Sequence, residues 1–171
     1  MIVMKFGGTS VEDSGAIDRV VEIVRARLHE YPVVVVSAMA KVTDKLLATA
    51  REAGSGSREA ALTMARELRE RHYSAAGELL GSGVFTQFHT QLESDFDSLD
   101  ELLRGISAVG ELTPRTMDNV LSFGERISSK MVAEAFSARG LNASHVDSRD
   151  CIVTDASFSK AVPLFEEITP R

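Results

Sequence analysis

Met1-Ile-Val-Met-Lys-Phe-Gly-Gly-Thr-Ser10 is the stretch that decides the fold. Ile2, Val3, Met4 and Phe6 form an apolar run with one cation, Lys5, and the run breaks at Gly7-Gly8-Thr9-Ser10. A short β-branched run bounded by glycines predicts a buried strand that ends in a tight turn. Behind the turn, Val11, Ile17, Val20, Val21, Val24 and Leu28 recur at near-helical spacing, which predicts a helix over Val11–Arg27. Strand, glycine turn and helix together make an anion site. Residues without Cβ let backbone N–H groups approach a ligand, and a helix N-terminus adds partial positive charge. Thr9 and Ser10 can cap the helix or donate hydroxyls, and Lys5 adds a full charge beside the turn. The same residues also suit an ordinary β-turn-α connection with a snorkelling lysine. Neither GxxxxGK[ST] nor GxGxxG is present.

Working outward, Tyr31-Pro32 breaks the chain and Val33-Val34-Val35-Val36 follows without alternation. Such a run predicts a strand covered on both faces, as in a parallel sheet with helices on either side. The crossover of a βαβ unit is right-handed, and ligands sit beyond the carboxyl ends of the strands. Two loops occupy that edge, Gly7–Ser10 and Ser37–Asp44. The second leads into a helix through Leu46, Leu47 and Ala50, with Thr43 as a possible N-cap.

The chain has 171 residues, enough for one well-buried core and too few for two comfortable domains. A net charge of −6 and the absence of any Lys/Arg-rich block argue against a nucleic-acid partner. The single cysteine, Cys151, permits no intramolecular disulfide and suits the cytoplasm. The histidines, His29, His72, His89 and His145, lack metal-ligand spacing, so no metal ligands are expected. Met1 leads straight into the first strand, which does not suit a signal peptide, and no apolar run is long enough to span a membrane.

Gly54-Ser55-Gly56-Ser57 punctuates the chain, and two amphipathic helices are expected after it, over about 58–80 and 85–103, broken by Gly81-Ser82-Gly83. This helical pair, 58–104, carries no polar cluster and is read as a packing or oligomerisation insertion at the edge of the sheet. Gly105–Pro114 is a connector, with a helix starting at Arg115 or Thr116. Ser122-Phe123-Gly124-Glu125 has capping-box spacing; alternatively, Gly124-Glu125-Arg126 lies at a kink between two helices. Ile127–Ala138 is amphipathic and Gly140 takes the C′ position that stops it. Leu141–Asp147 reads as a third parallel strand and Cys151–Thr154 as another short one. Asp155–Arg171 has weak periodicity.

Three segments then stand together: Lys5-Phe-Gly-Gly-Thr-Ser-Val11, Val33-Val-Val-Val-Ser-Ala-Met-Ala-Lys-Val-Thr-Asp44 and Ser122-Phe-Gly-Glu-Arg126. In this order and spacing they resemble the aspartate kinases of the amino acid kinase family, and the resemblance covers the entire chain. Ala40 stands where that family commonly has glycine or serine. The family's Gly-Arg-Gly-Gly-Ser-Asp segment and nucleotide-base pocket have no counterpart here, so the chain resembles the amino-terminal part of such a catalytic domain. The resemblance implies an α/β fold, a three-layer αβα sandwich around a mainly parallel sheet, truncated and with the helical pair inserted.

It also implies ATP-dependent phosphorylation of the L-aspartate β-carboxylate, with Mg2+ carried by the nucleotide. Lys5 would neutralise the transferring phosphoryl group, and Gly7, Gly8, Thr9 and Ser10 would border the phosphates. Ser37 and Thr43 would offer hydroxyls to the amino acid, and Glu125 a carboxylate to its α-ammonium group; a capping role for Glu125 is the alternative. A kinase of another small carboxylate or carbamate is a second reading, and a non-catalytic assembly module a third. A homo-oligomer is expected, with the 58–104 helices as candidate interface. The chain alone is expected to be inactive, with a bare strand edge favouring self-association or mobility near Asp155–Arg171.

Overall fold

The computed structural model describes residues 1–168; the end of the Asp155–Arg171 segment, beyond Ile168, lies outside them. Strand β1 is Ile2–Phe6 and strand β2 is Pro32–Val36. They pair in parallel, with Ile2 opposite Pro32 and Phe6 opposite Val36. Between them runs α1, Ser14–Arg25. Its start differs from expectation. Gly8–Val11 forms one 3-10 turn, and Asp13 caps α1 by accepting the Ala16 N–H at 2.7 Å, so Thr9 and Ser10 do not cap it. Tyr31 takes a left-handed conformation (φ 53°) immediately before β2, which places the break where Tyr31-Pro32 predicts it.

Four helices follow: α2 (Val42–Gly54), α3 (Arg58–Leu79), α4 (Ser82–Val109) and α5 (Pro114–Ala138). Helix α4 passes straight through Gly105, because Ile106 continues the buried stripe of Leu99 and Leu103; the connector shrinks to the residues between Val109 and Pro114. Helix α5 begins at Pro114 in the first turn, capped by the Thr113 hydroxyl, which accepts the Thr116 N–H at 3.1 Å. It then runs unbroken through Gly124-Glu125-Arg126, as one helix rather than two. Gly140 (φ 77°) closes it as predicted, with the Leu141 N–H donating to the Phe136 carbonyl at 2.9 Å.

Helices α3 and α4 share the core with the other helices. Phe88, Leu92, Phe96, Leu99 and Leu103 are almost wholly buried, α3 packs on α1, α2 and α4, and α4 packs on α2, α3 and α5. The pair is therefore part of the core, built by the apolar stripes that predicted the helices.

The sheet is smaller than expected. Among the described residues it has two strands. Leu141–Asp147 forms no ladder; its residues up to Val146 border a cleft of about 560 Å³ that Val33, Val34, Val36 and Phe136 also line. Cys151–Thr154 contributes one antiparallel bridge, Thr154 with Pro163. The β-branched run is covered on one face. Met4, Phe6, Val34 and Val36 pack on the core, whereas Val3 (64% exposed), Val33 (46%) and Val35 (45%) face outward. A run with apolar residues on both faces specifies two covering layers, and the described residues supply one.

Candidate functional site

In a parallel pair both strands end at the same edge, so the loops after Phe6 and Val36 are neighbours. Backbone hydrogen bonds join them: the Ser37 N–H donates to the Phe6 carbonyl at 3.1 Å and the Ala40 N–H to the Gly8 carbonyl at 3.1 Å. The two glycines of the first loop do different work. A methyl group at Gly8 would lie 2.9 Å from the Ala38 carbonyl oxygen, so the second loop's backbone occupies the place of a side chain. Gly7 has φ −78° and ψ 173°, which any residue adopts, and a methyl group there would meet nothing nearer than Lys5 Nζ at 4.0 Å. The space beside Gly7 is open and has an ammonium group over it.

Lys5 is exposed at the end of β1, and its ammonium group has no ion pair or hydrogen bond among the described residues; the hydroxyls of Thr9, Ser10, Ser37 and Thr43 are likewise unpartnered. Lys5, Gly7, Gly8, Thr9, Ser10 and Ser37 thus share one edge, while Thr43 stands exposed in the first turn of α2. Thr43 is not the N-cap. That position belongs to Lys41, held in a left-handed conformation (φ 65°).

Glu125 reaches the same edge from α5. Its Oε1 accepts the Ala38 N–H at 3.3 Å, and its other oxygen is unpartnered. The capping box is not formed, since Ser122 Oγ donates to the Asn119 carbonyl at 2.7 Å. The approach depends on Gly124, where a methyl group would lie 2.8 Å from Ala38 Cβ and 3.3 Å from Leu46 Cδ1. The next residue turns away. Arg126 lies over the Phe123 ring (4.4 Å) and 3.6 Å from Asp95 of α4, while Lys130 Nζ meets Asp95 at 2.6 Å. Burial, then the nearby Arg149, lowers the basicity of Arg126, and Arg149 itself pairs with Asp147, holding that carboxyl down to about 2. Asp95 thus ties α5 to α4 through Arg126, the neighbour of Glu125, and Lys130.

Two contributors gave no sequence signal. Lys41 is an exposed cation in the second loop whose left-handed backbone only the structure reveals. Arg71 of α3 donates to the Ala40 carbonyl at 2.8 Å and to the Glu12 carbonyl at 3.3 Å. A lone arginine in a charged helix reads as solvated surface.

A glycine turn beside an unpaired lysine, with a half-free carboxylate on the same parallel strand edge, is an arrangement suited to receiving an anion and a cationic group side by side. The chain belongs to the amino acid kinase family, whose model matches residues 1–167. It is 36% identical over 166 residues to an aspartokinase 2, chloroplastic, of Arabidopsis thaliana, covering 93% of this chain and 29% of that protein. To a bifunctional aspartokinase/homoserine dehydrogenase 2, chloroplastic, of Zea mays it is 35% identical over 155 residues, covering 91% of this chain and 17% of that one. Among solved structures, E. coli aspartokinase III in complex with aspartate and ADP (R-state) superposes with a TM-score of 0.85 at 26% identity. That match takes in 99% of this chain and 36% of the other. The chain matches one part of the αβα fold of that enzyme, and it spans about a sixth to a third of the length of these relatives. Among the described residues no helix is long and apolar enough to cross a membrane.

Proposed function

We propose that this chain supplies the phosphate turn and part of the amino-acid site of an enzyme that transfers the γ-phosphoryl group of ATP to the β-carboxylate of L-aspartate. The observation that carries the reading is the meeting of Lys5, the Gly7-Gly8 turn and Glu125 at one strand edge. Phosphoryl transfer needs alignment of the attacking carboxylate oxygen with the γ-phosphorus and neutralisation of charge on the moving group. Lys5 neutralises that charge beside the turn, and Gly7, Gly8, Thr9 and Ser10 border the phosphates with backbone N–H groups and hydroxyls. The free oxygen of Glu125 takes the substrate ammonium group, and Ser37 and Thr43 offer hydroxyls to its carboxylates. No group of three His, Cys, Asp or Glu side chains able to hold a metal ion occurs among the described residues. Magnesium would enter on the triphosphate and offset its charge. An amino acid is favoured over a carbamate or a carboxylate without an amine because it gives Glu125 an ammonium partner, and the aspartokinase relatives point to aspartate among the amino acids.

The likeness to aspartokinases and the ADP and aspartate bound in the E. coli complex support this reading. We place the protein in the cytoplasm and in a homo-oligomer, with outward faces of residues 58–104 as candidate contact. The residues 58–104 are taken as an insertion within one catalytic domain. Turnover by this chain alone is expected to fall more than a hundredfold below that of a complete aspartokinase, since it has no Gly-Arg-Gly-Gly-Ser-Asp segment to clamp the substrate carboxylate.

The test titrates the chain with ATP and, separately, with L-aspartate, following backbone amide shifts. Lys5→Met is expected to weaken ATP and spare aspartate, and Glu125→Gln to do the reverse, by about 2–5 kcal/mol if the pair with the substrate is desolvated. Equal effects of each variant on both ligands, or on neither, contradict the reading.

A further inference from the structure

Helix α3 carries a polar stripe at Glu67, Arg71, Ser74 and Glu78, steps of four, three and four residues that share one helix face. The stripe faces the site's foundations. Glu67 pairs with Lys45 of α2, Glu78 accepts from Ser14 of α1 at 2.9 Å, and Arg71 between them reaches the loops. Its Nη1 donates to the Ala40 carbonyl at 2.8 Å and its Nη2 to the Glu12 carbonyl at 3.3 Å. Glu12 ends the 3-10 turn that starts at Gly8, and Ala40 closes the loop after β2. One planar cation therefore bridges both loops. Ala40 is held on two sides, its N–H by the Gly8 carbonyl and its own carbonyl by Arg71.

We infer that Arg71 is a positioning residue that sets the spacing of the phosphate turn against the amino-acid loop, so that the two ligands of the proposed reaction meet at a fixed distance. The inference rests on the proposed function. Arg71 acts through carbonyl oxygens rather than on a ligand. A rigid guanidinium fork suits this task because its two donors have a set separation, whereas a lysine ammonium on a flexible stem can hold one carbonyl and leave the other free. The helical pair thus supports the site directly. The positions of Glu125, fixed from α5 and α4, and of the turn, fixed from α3, are set by different helices and converge on residues 38–40.

The experiment uses the 171-residue chain as Arg71→Met and Arg71→Lys, with thermal unfolding, amide hydrogen exchange and the two ligand titrations. Arg71→Met is expected to weaken ATP and aspartate together by about tenfold or more, the equivalent of one charge-assisted hydrogen bond, whereas Lys5→Met and Glu125→Gln each affect one ligand. Exchange at the Ala40 amide is expected to quicken by about tenfold or more, while the Ser37 amide, bonded to Phe6 just beyond the strand pair, keeps its protection. Arg71→Lys falls between the two. If the unsubstituted chain binds neither ligand, the proposed function fails on its own account and Ala40 exchange alone decides whether Arg71 locks the loops. Wild-type exchange at Ala40 in Arg71→Met overturns the inference, as does an unchanged pair of affinities. If Arg71→Met does not fold, an Arg71→Lys variant with wild-type exchange and affinities overturns it equally.

Discussion

Replacing Gly124 by alanine sets two effects of opposite sign against each other. Gly124 lies in the interior of α5, where alanine is the better helix former by about 0.8–1 kcal/mol. Its added methyl group, however, would sit 2.8 Å from Ala38 Cβ, 3.3 Å from Leu46 Cδ1 and 3.4 Å from Val42 Cγ1. Relieving such contacts by shifting backbone costs about 1–3 kcal/mol, and the Ala38 end is a loop whose N–H binds Glu125. Packing should win by about 1 kcal/mol, which lowers the Tm of a chain this size by about 2–4 °C. The larger effect is on the site, because α5 moves away from residues 37–40 and the 3.3 Å Glu125 contact lengthens. Aspartate affinity should fall, with ATP affinity less affected. Gly105→Ala is the control. It is also inside a helix, with nothing within 4 Å of the added methyl, and should gain about 0.8–1 kcal/mol. Thermal melts of both variants with aspartate titration decide the matter. A Gly124→Ala chain that melts above wild type and keeps its aspartate affinity would refute the close-approach argument.

Two further outcomes follow from buried charge. His72 is almost wholly buried against Phe96, and burial lowers its pKa from 6.5 to about 4, so stability present above pH 6.5 is lost as pH falls toward 4. The loss should reach about 2–3 kcal/mol near pH 4.5 and be absent from His72→Leu, as read from urea midpoints near pH 7 and pH 4.5; equal acid sensitivity of the two chains would contradict it. Asp95→Ala leaves Lys130 and Arg126 without their carboxylate and should cost about 3 kcal/mol, with aspartate affinity falling as α5 loosens; a stability loss under 1 kcal/mol would show that the cluster is a solvated surface pair.

The sequence revealed those parts of the fold that short-range chemistry determines. Gly7-Gly8, Tyr31-Pro32 and Gly140 mark ends that local backbone preference sets, and each falls where the structure has one. Gly105 and Gly124 misled for one reason: a helix tolerates glycine when its apolar stripe continues, and whether a glycine breaks a helix or admits a neighbour depends on tertiary packing. Leu141–Asp147 reads as a strand from its place after the helix stop, yet it has few β-formers, and pairing requires a partner at hydrogen-bonding distance, which no local pattern encodes. That Lys5, the glycines and Glu125 lie at one strand edge was legible because three segments occur together. Arg71 was not, because an arginine that donates to distant carbonyl groups looks in sequence like any solvated one.

The central claim is that the open space between Gly7 and the Lys5 ammonium group holds a phosphate. The measurement that tests it most directly is the ATP affinity of Gly7→Ala, read from the amide shifts of residues 7–10. The fold permits this methyl group, since the backbone there is extended and the nearest atom is Lys5 Nζ at 4.0 Å, so the melting temperature should hold or rise slightly. ATP affinity should nevertheless fall by about tenfold or more, because the methyl group takes the place of a phosphate oxygen and costs at least one charge-assisted hydrogen bond. An alanine chain that binds ATP as tightly as wild type would contradict the account.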